Sequence, residues 1–527
     1  MISQAQATSR ARTGRAGAFG GFRTRWALLL SVAGGLAVFA SFPPLNVWPL
    51  AALGPGLLVV ALTGRSLRAS FCCGLVFGVA MFVPLLSWLS NVAWYAWFGL
   101  AVAEAIIFAV FTIGQRLLLE LPFWPAAVAA WWVTAEAFRD RWPYAFPWDR
   151  LAMSQSEAPD VRWAAVGGMP LLTFLVALTG AMAARAALSW LGSREWRSRG
   201  VAGAALGAVV TAGLVLAGGL LPVDPVAGAP TVPVAAIQGN VPRARNLPAQ
   251  LNDSEVLQDQ TQATLKLAAA VKAGRLPAPD LVVWPENSTD LDPFYYPATH
   301  QQITTALGAI DRPILVGEVL NNPQLNVGQL WVPGRGAGPV YAKRQLVPFG
   351  EYIPWRGFIS HLTSLPSLQP VNFTPGHAAV VFKTGPIRLG DVICYEIGFD
   401  RLVRSEVTAG ANLLAMQTND ADFEIDGQTG ESEQQLAMAR IRAIESDRAV
   451  VVASTTGVSA IVAPDGRLIR HSGTWQQAVL EARVPLVTRQ TWATAAGAWP
   501  EWVIVGLTAL ALLAAVAGYR RQTLHTL

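Results

Sequence analysis

Residues 387–396 read Ile387-Arg-Leu-Gly-Asp-Val-Ile-Cys-Tyr-Glu396. The apolar and β-branched run from Ile387 to Ile393 predicts a strand, and Cys394 sits at its carboxyl end with Glu396 two residues on. A second stretch, Leu281-Val-Val-Trp-Pro-Glu286, ends the same way. Pro285 stops regular pairing there and presents Glu286 at the strand's edge. Open α/β sheets place reacting groups at the carboxyl ends of their strands. The surrounding block, 222–500, repeats short apolar runs at Val232–Ile237, Ile314–Val319, Ala378–Phe382, Leu413–Met416, Ala449–Ala453, Val458–Val462 and Ala478–Ala482. Gly, Pro, Asn and Asp punctuate them. Helical periodicity appears at about 253–274, 298–309 and 431–446. The block reads as an α/β domain large enough to bury its own core.

Outside this block the sequence changes character. The whole chain of 527 residues is 53% apolar and 14% charged, against about 25% charged in a typical soluble domain. Runs of about 20 apolar residues suffice to cross a bilayer. They occur at about 26–42, 46–64, 69–90, 92–114, 119–138, 162–187, 200–221 and 502–519. Eight transmembrane helices are therefore expected. The first reads as an uncleaved span, because it runs on through Phe42-Pro43-Pro44 without a small-residue cleavage site. The division is a basic tail (1–25), seven spans (26–221), the α/β block (222–500), and a final span with its tail (501–527).

Charge sets the expected orientation. Residues 1–221 carry 16 Arg, no Lys and 8 acids, whereas 222–500 carry 17 Arg, 4 Lys and 25 acids. Arg in short loops marks the cytoplasmic side. Both termini are then cytoplasmic, with the 65–68, 116 and 194–199 loops, and the α/β block is extracytoplasmic. Arg139, Arg141, Arg150 and Arg162 lie on the outer side and break the pattern. Trp88, Trp94, Trp97, Trp131, Trp132, Trp142 and Trp148 fall where an outer aromatic belt is expected. Glu104 lies inside a span, where a carboxylate is either functional or, as the neutral acid, hydrogen-bonded to a neighbouring helix. No basic stripe of the kind nucleic acid requires appears on the α/β block.

Cys72 and Cys73 sit in an apolar run and Cys394 stands apart, so neither a disulfide framework nor a zinc site is expected. Lysine occurs four times against 35 arginines. Where it does appear, a compact ammonium able to titrate is the point of interest. Lys266 and Lys272 lie on a solvated helix and Lys383 at a strand end. Lys343 lies in Tyr341-Ala-Lys-Arg-Gln-Leu-Val-Pro-Phe-Gly-Glu351. Cys394, Glu286 and Lys343 together suggest a nucleophile, its base and an oxyanion stabiliser, helped by the Tyr395 backbone N–H. Glu351 and Glu396 are expected to hold Lys343 and keep it charged. His300, His361, His377 and His471 sit in no motif that connects them to Cys394.

Trp284-Pro-Glu286, Lys343-x-x-Leu-Val-Pro-Phe-Gly-Glu351 and Cys394-Tyr-Glu396 resemble the active-site motifs of the nitrilase, or carbon–nitrogen hydrolase, superfamily. With the spans around that block, the chain resembles its apolipoprotein N-acyltransferase branch. Asn419-Asp-Ala421, Met438–Glu445 and Gly457-Val-Ser-Ala460 extend the likeness. The resemblance implies a membrane α-helical bundle carrying an αββα-sandwich domain. It implies acyl transfer from a phospholipid, through a thioester on Cys394, to the amine of a diacylglyceryl-cysteine lipoprotein in the bacterial cytoplasmic membrane. It further implies Glu286 as base, Lys343 as oxyanion stabiliser, Glu351, Tyr395 and Glu396 in support, Asn326 as a looser match, and no metal or cofactor. The enzyme is expected to work as a monomer. Asp422, Thr455-Thr456 and Gln434-Gln435 depart from the pattern, the last replacing a Gln-His-like pair.

The apolar, aromatic stretch Tyr352–Gly376 is expected to dip toward the membrane interface as an arm or lid, with Trp355 and Phe358 on it. Two other readings stay open: a membrane-tethered amidase, in which water resolves the thioester, and a catalytically silent scaffold for a partner membrane enzyme.

Overall fold

The computed structural model describes residues 24–191, most of 205–221, 228–241, 249–362, 371–424 and 429–524. Most of the basic tail, the loop carrying Arg194, Arg197 and Arg199, and part of the 200–221 span lie outside the described residues.

The chain opens with six helices: α1 (Thr24–Ser41), α2 (Leu50–Leu62), α3 (Leu67–Leu85), α4 (Trp94–Leu118), α5 (Trp124–Arg139) and α6 (Ala164–Leu191). Small residues let them approach closely. A Cβ on Gly180 of α6 would lie 2.1 Å from the Ala52 carbonyl oxygen of α2. Among the described residues, five helices are long and apolar enough to cross a membrane: Thr24–Ser41, Leu67–Leu85, Trp94–Leu118, Pro159–Trp190 and Trp499–Arg521. Two expected spans are shorter, α2 with 13 residues and α5 with 16. Pro43, Pro44 and Pro49 occupy the α1–α2 connection, where Asn46 also takes φ 57°. α4 runs on to Leu118, and Pro122 and Pro125 delay α5.

The exceptions to the Arg bias find partners inside the protein. Arg139 pairs with the buried Glu104, which also accepts from the Tyr144 hydroxyl at 2.6 Å. Arg141 pairs with Glu501 at 2.6 Å, and Arg150 with Asp400 at 2.8 Å. Arg162 donates to the Gly219 and Leu221 carbonyls, both at 3.0 Å. These four arginines are all engaged by partners within the protein. Glu104 thus joins α4 to α5 through Arg139.

The α/β block folds as two six-stranded sheets. The first has strand order β12-β1-β2-β3-β4-β5 and the second β11-β10-β9-β8-β7-β6. The first sheet holds β1 (Thr231–Gln238), β2 (Leu281–Val283), β3 (Ile314–Leu320), β4 (Leu325–Val332), β5 (Gly336–Ala342) and β12 (Ala478–Pro485). The second holds β6 (Val381–Thr384), β7 (Ile387–Ile393), β8 (Leu413–Thr418), β9 (Val450–Ser454), β10 (Ala460–Val462) and β11 (Leu468–His471). In each, three central strands run parallel. β4, β5 and β11 were not anticipated from sequence.

Alternation along the strands builds the layers. Val234, Ala236, Leu281, Val283 and Leu315 of the first sheet meet Leu389, Ile393, Leu413, Ala415 and Val451 of the second. Ala235, Ile237, Val282 and Ile314 face outward onto α7 (Ala249–Lys272) and α8 (Pro297–Ile310). Beyond α9 (Arg356–Leu362), the second sheet is covered by α10 (Asp400–Thr408) and α11 (Gly430–Ser446). The result is the expected αββα sandwich. Its α10–α11 layer packs into the same apolar core as α1, α3 and α6. α11 is thus buried on two sides, between sheet and bundle.

Polar contacts cross the same boundary. Gln434 of α11 accepts from the Trp88 and Trp148 indoles at 3.2 and 2.8 Å and donates to the Pro43 and Leu85 carbonyls. Trp88, Trp132 and Trp148 are therefore buried rather than part of a belt, whereas Trp94 and Trp142 are exposed. After α12 (Trp492–Ala496), α13 (Trp499–Leu524) closes the chain with Trp499, Val503, Leu507, Leu510 and Leu513 exposed.

Candidate active site

The parallel strands of both sheets deliver their carboxyl ends to one place. Glu286 follows β2, Cys394 follows β7 and Asn419 follows β8. β5 lies antiparallel to β4, which lies antiparallel to β3, so Lys343 after β5 and Asn326 near the start of β4 share that edge. The expected Glu286, Lys343, Cys394, Glu351 and Asn326 are all brought together.

Lys343 is buried, and its Nζ lies 2.8 Å from Glu286 Oε1 and 3.0 Å from Glu351 Oε1. Asn326 Nδ2 donates to the same two oxygens, 2.7 Å each. Glu286 Oε2 accepts from the Asn419 N–H at 3.0 Å, and Glu351 Oε2 from the Val347 N–H at 2.7 Å. Burial alone would lower the Lys343 pKa. Glu286 and Glu351 more than offset it, so the ammonium stays charged well above its ordinary range.

Glu396 takes a different place from the expected one. Its Oε1 accepts from the Arg344 and Gln345 N–H groups at 2.7 and 3.0 Å. Its Oε2 accepts from the Ile393 N–H at 2.9 Å and the Tyr341 hydroxyl at 2.7 Å. It ties the backbone beside Lys343 to the backbone before Cys394 and holds no part of the ammonium. A carboxylate has room for four such donors only if it is ringed by them, and burial supplies the ring. Tyr395 turns away from the carboxylates. Its hydroxyl donates to the Ala145 carbonyl at 2.7 Å and its ring stacks on Trp148 at 6.1 Å.

Cys394 is buried and takes φ 51°, the left-handed region, at the start of a single 3₁₀ turn through Gly398. A non-glycine residue held there costs on the order of 1–3 kcal/mol, a cost found at functional sites. Burial first, and then the Glu286 charge, push the thiol pKa well above that of a free cysteine. The Lys343 ammonium pulls it back, while Glu431 and Asp420 push it further up. The resting group is therefore the thiol, and attack requires that its proton be taken.

Further residues complete the site, among them Gln435, which the sequence marked only as a departure from the family pattern. Gln435 Nε2 lies 3.5 Å from Cys394 Sγ. Gln417 Nε2 donates to the Trp284 carbonyl at 2.5 Å, fixing the chain just before Pro285. On β3, a Cβ at Gly317 would lie 2.1 Å from the Pro285 carbonyl oxygen and 2.7 Å from Glu286 Cα. These obstacles are backbone and cannot swing aside. Gly317→Ala is expected to cost about 1–3 kcal/mol of stability and, by displacing Glu286, to reduce activity more than the loss of folded protein explains. Thermal melting beside specific activity checks this; proportional losses would contradict it.

The first 200 residues match the family model of the apolipoprotein N-acyltransferase N-terminal domain over residues 34–182, and the α/β block matches carbon–nitrogen hydrolase over 234–494. An apolipoprotein N-acyltransferase of Mycolicibacterium smegmatis is 39% identical over 518 residues, 93% of this chain and 85% of that protein. The chain belongs to the apolipoprotein N-acyltransferase family. An Azotobacter vinelandii member is 30% identical over 523 residues, 92% of this chain and 93% of that protein. As in the family model, the α/β block carries a nitrilase-like fold, here in a multi-pass membrane protein. Among solved structures, an amidase of the nitrilase superfamily from Nesterenkonia is similar at 18% identity and TM-score 0.37, covering 50% of this chain and 94% of that one.

Proposed function

We propose that this chain transfers an acyl chain from a phospholipid to the amino terminus of an S-diacylglyceryl-cysteine lipoprotein by a ping-pong route. The observation that carries this is the buried Lys343–Glu286–Glu351 cluster set beside a strained, protonated cysteine.

Glu286 takes the Cys394 proton as sulfur attacks the ester carbonyl carbon. The oxyanion is met by Lys343 and the Tyr395 N–H. When the C–O bond breaks, Glu286 returns the proton to the lysophospholipid alkoxide, leaving a thioester. The neutral acceptor amine then attacks, Glu286 accepts its proton, and the C–S bond breaks to leave the amide and the Cys394 thiolate. The proton passes from Glu286 back to sulfur. Lys343 stays charged throughout, which its two carboxylate partners favour.

The remaining expectations follow. The α/β block lies on the extracytoplasmic side of the cytoplasmic membrane, both termini are cytoplasmic, eight helices span the bilayer, and the protein acts as a monomer. The Arg bias supports the orientation, since its four exceptions are engaged inside the protein. Trp355 and Phe358 are 57% and 65% exposed, with Trp355 at φ 46°. Large exposed aromatics beside Glu351 suit contact with acyl chains or the bilayer surface. The neighbouring Leu365 and Leu368 of the expected arm lie outside the described residues. Replacing Trp355 and Phe358 together by Ser is expected to lower turnover on membrane-embedded substrate about tenfold or more and to spare iodoacetamide reactivity of Cys394. Unchanged turnover in vesicles would sink the arm.

The test of the reaction is product analysis. Purified protein is given a phospholipid and a diacylglyceryl-cysteine peptide, and products are separated by mass. N-acyl peptide and lysophospholipid in equal amounts are expected. Free fatty acid in place of N-acyl peptide would point to a hydrolase, and no conversion to a scaffold.

A further inference from the structure

Cys394 is poorly served as a thiolate by its charges. Among the main influences, burial, Glu286, Glu431 and Asp420 oppose ionisation and Lys343 favours it. Yet the sulfur must carry negative charge twice, in attacking the donor and in leaving the thioester. A neutral donor aimed at it would help both times without adding a titrating proton.

Gln435 is so placed. Its Nε2 lies 3.5 Å from Cys394 Sγ, and both residues are buried. The second N–H of the same amide donates to Glu431 Oε1, one helical turn earlier on α11. Its Oε1 accepts from the Thr418 hydroxyl at 2.9 Å. Thr418 ends β8, the parallel neighbour of the strand that carries Cys394. The Glu431 contact favours this orientation, since the opposite one would turn the amide oxygen toward an acceptor oxygen of Glu431; the Thr418 hydroxyl, which also lies 2.9 Å from Asp420 Oδ1, can accept as well as donate.

The support behind it is rigid. Asp420 accepts from Ser454 Oγ, and that hydroxyl in turn receives the Gly457 N–H at 2.8 Å. A Cβ on Gly457 would lie 2.1 Å from Asp420 Oδ2. Glu431 and Asp420 share this buried space, and two buried carboxyls in contact keep a proton between them. On the opposite side, the adjacent Gln434 is bound by two indoles and two carbonyls of the bundle. α11 therefore cannot slide or roll without breaking contacts to the membrane region, and the reach of Gln435 is set.

We propose that the Gln435 side-chain amide is a catalytic hydrogen-bond donor to the Cys394 sulfur, stabilising the thiolate as it attacks the phospholipid and as it leaves the thioester. The assignment rests on Cys394 as nucleophile. Glu431 and Thr418 are positioning residues for the amide.

The test uses the full-length protein in detergent with two readouts. The first is the pH dependence of Cys394 alkylation by iodoacetamide, with Cys394→Ala supplying the background from Cys72 and Cys73. The groups that bear on this profile are Glu286, Lys343, Glu431 and Asp420. The second is single-turnover acylation by phospholipid, read as intact mass. Gln435→Met, which keeps the shape and removes the donor, is expected to shift the alkylation midpoint upward by about one pH unit or more and to slow acylation about 10- to 100-fold. Gln435→His, which keeps a donor, is expected to recover most of the rate. Should the Met variant lose its thermal transition, Thr418→Val, which removes the hydroxyl that donates to the amide oxygen and so loosens the amide, is expected to shift the midpoint in the same direction. A folded Met or Val variant with an unshifted midpoint would overturn the proposal. So would equal acylation losses in the Met and His variants. If the unaltered protein forms no adduct with phospholipid, the nucleophile assignment fails, and the alkylation profile still decides whether Gln435 acts on the sulfur.

Discussion

Glu286→Gln is expected to slow acylation of Cys394 by about 10²- to 10⁴-fold while making the thiol more reactive toward a small alkylating agent near pH 7. The two effects have opposite signs because Glu286 does two things. It is the group placed to take the thiol proton, and its charge is, after burial, the largest influence holding that proton on sulfur. Without that charge the thiol pKa is lower than in the unaltered protein, although burial, Glu431 and Asp420 still raise it, so alkylation at pH 7 speeds up. Without the base, the concerted attack loses its proton acceptor. The substitution also disturbs the site locally. Glu286 accepts from Lys343, Asn326 and the Asn419 N–H, and an amide would turn an N–H₂ toward one of these donors. Parallel loss of alkylation and acylation would mean that Glu286 acts only as scaffolding.

Lys343→Met carries the second large effect, on both rate and stability. The ammonium lies between Glu286 and Glu351 with Asn326 bridging the same two oxygens. Removing one partner of a buried ion cluster typically costs about 3–5 kcal/mol, because the remaining charges have no compensation. Here two carboxylates would face each other, and one would take up a proton to relieve the repulsion. A protonated Glu286 is no base, so the variant loses both the base and the oxyanion stabiliser. A fall of about 10²- to 10³-fold in single-turnover acylation is expected from the lost oxyanion contact alone, together with a lower melting temperature. Lys343→Arg is expected to rescue neither, since a planar fork does not fit a site built around one compact ammonium. Thermal melting and intact-mass kinetics on both variants check this. A stable, active Lys343→Met protein would contradict the electrostatic account of the site.

Much of this arrangement could be read from local sequence because it depends on strand ends. Ile387–Ile393 and Leu281–Val283 are strong strand formers, and each stops just short of a reactive side chain, so chemistry and topology pointed the same way. The scarcity of lysine picked out Lys343. β4 and β5 escaped because Leu325-Asn-Val-Gly-Gln-Leu-Trp-Val332 and Gly336-Ala-Gly-Pro-Val-Tyr-Ala342 are diluted by residues with weak strand preference. Their pairing is decided by the neighbouring strand, which propensity does not see. Glu431 escaped for another reason, and Gln435 was marked only as a departure from the family pattern, with no role. Periodicity shows that α11 is a helix but not what covers it, and that helix is covered on one side by β8 and β9 and on the other by the bundle. Buried polar residues of this kind look solvated until the second covering layer is known. The same layer explains Trp88 and Trp148, which read as belt residues and instead bind Gln434.

The most direct measurement of the central claim is intact-mass spectrometry of the full-length protein after incubation with phospholipid alone, beside Cys394→Ala. A single acyl adduct is predicted, released by neutral hydroxylamine, absent from the alanine variant, and discharged onto the amine of an added diacylglyceryl-cysteine peptide. A folded protein that N-acylates the peptide with no Cys394-dependent adduct under single-turnover conditions would contradict the thioester route.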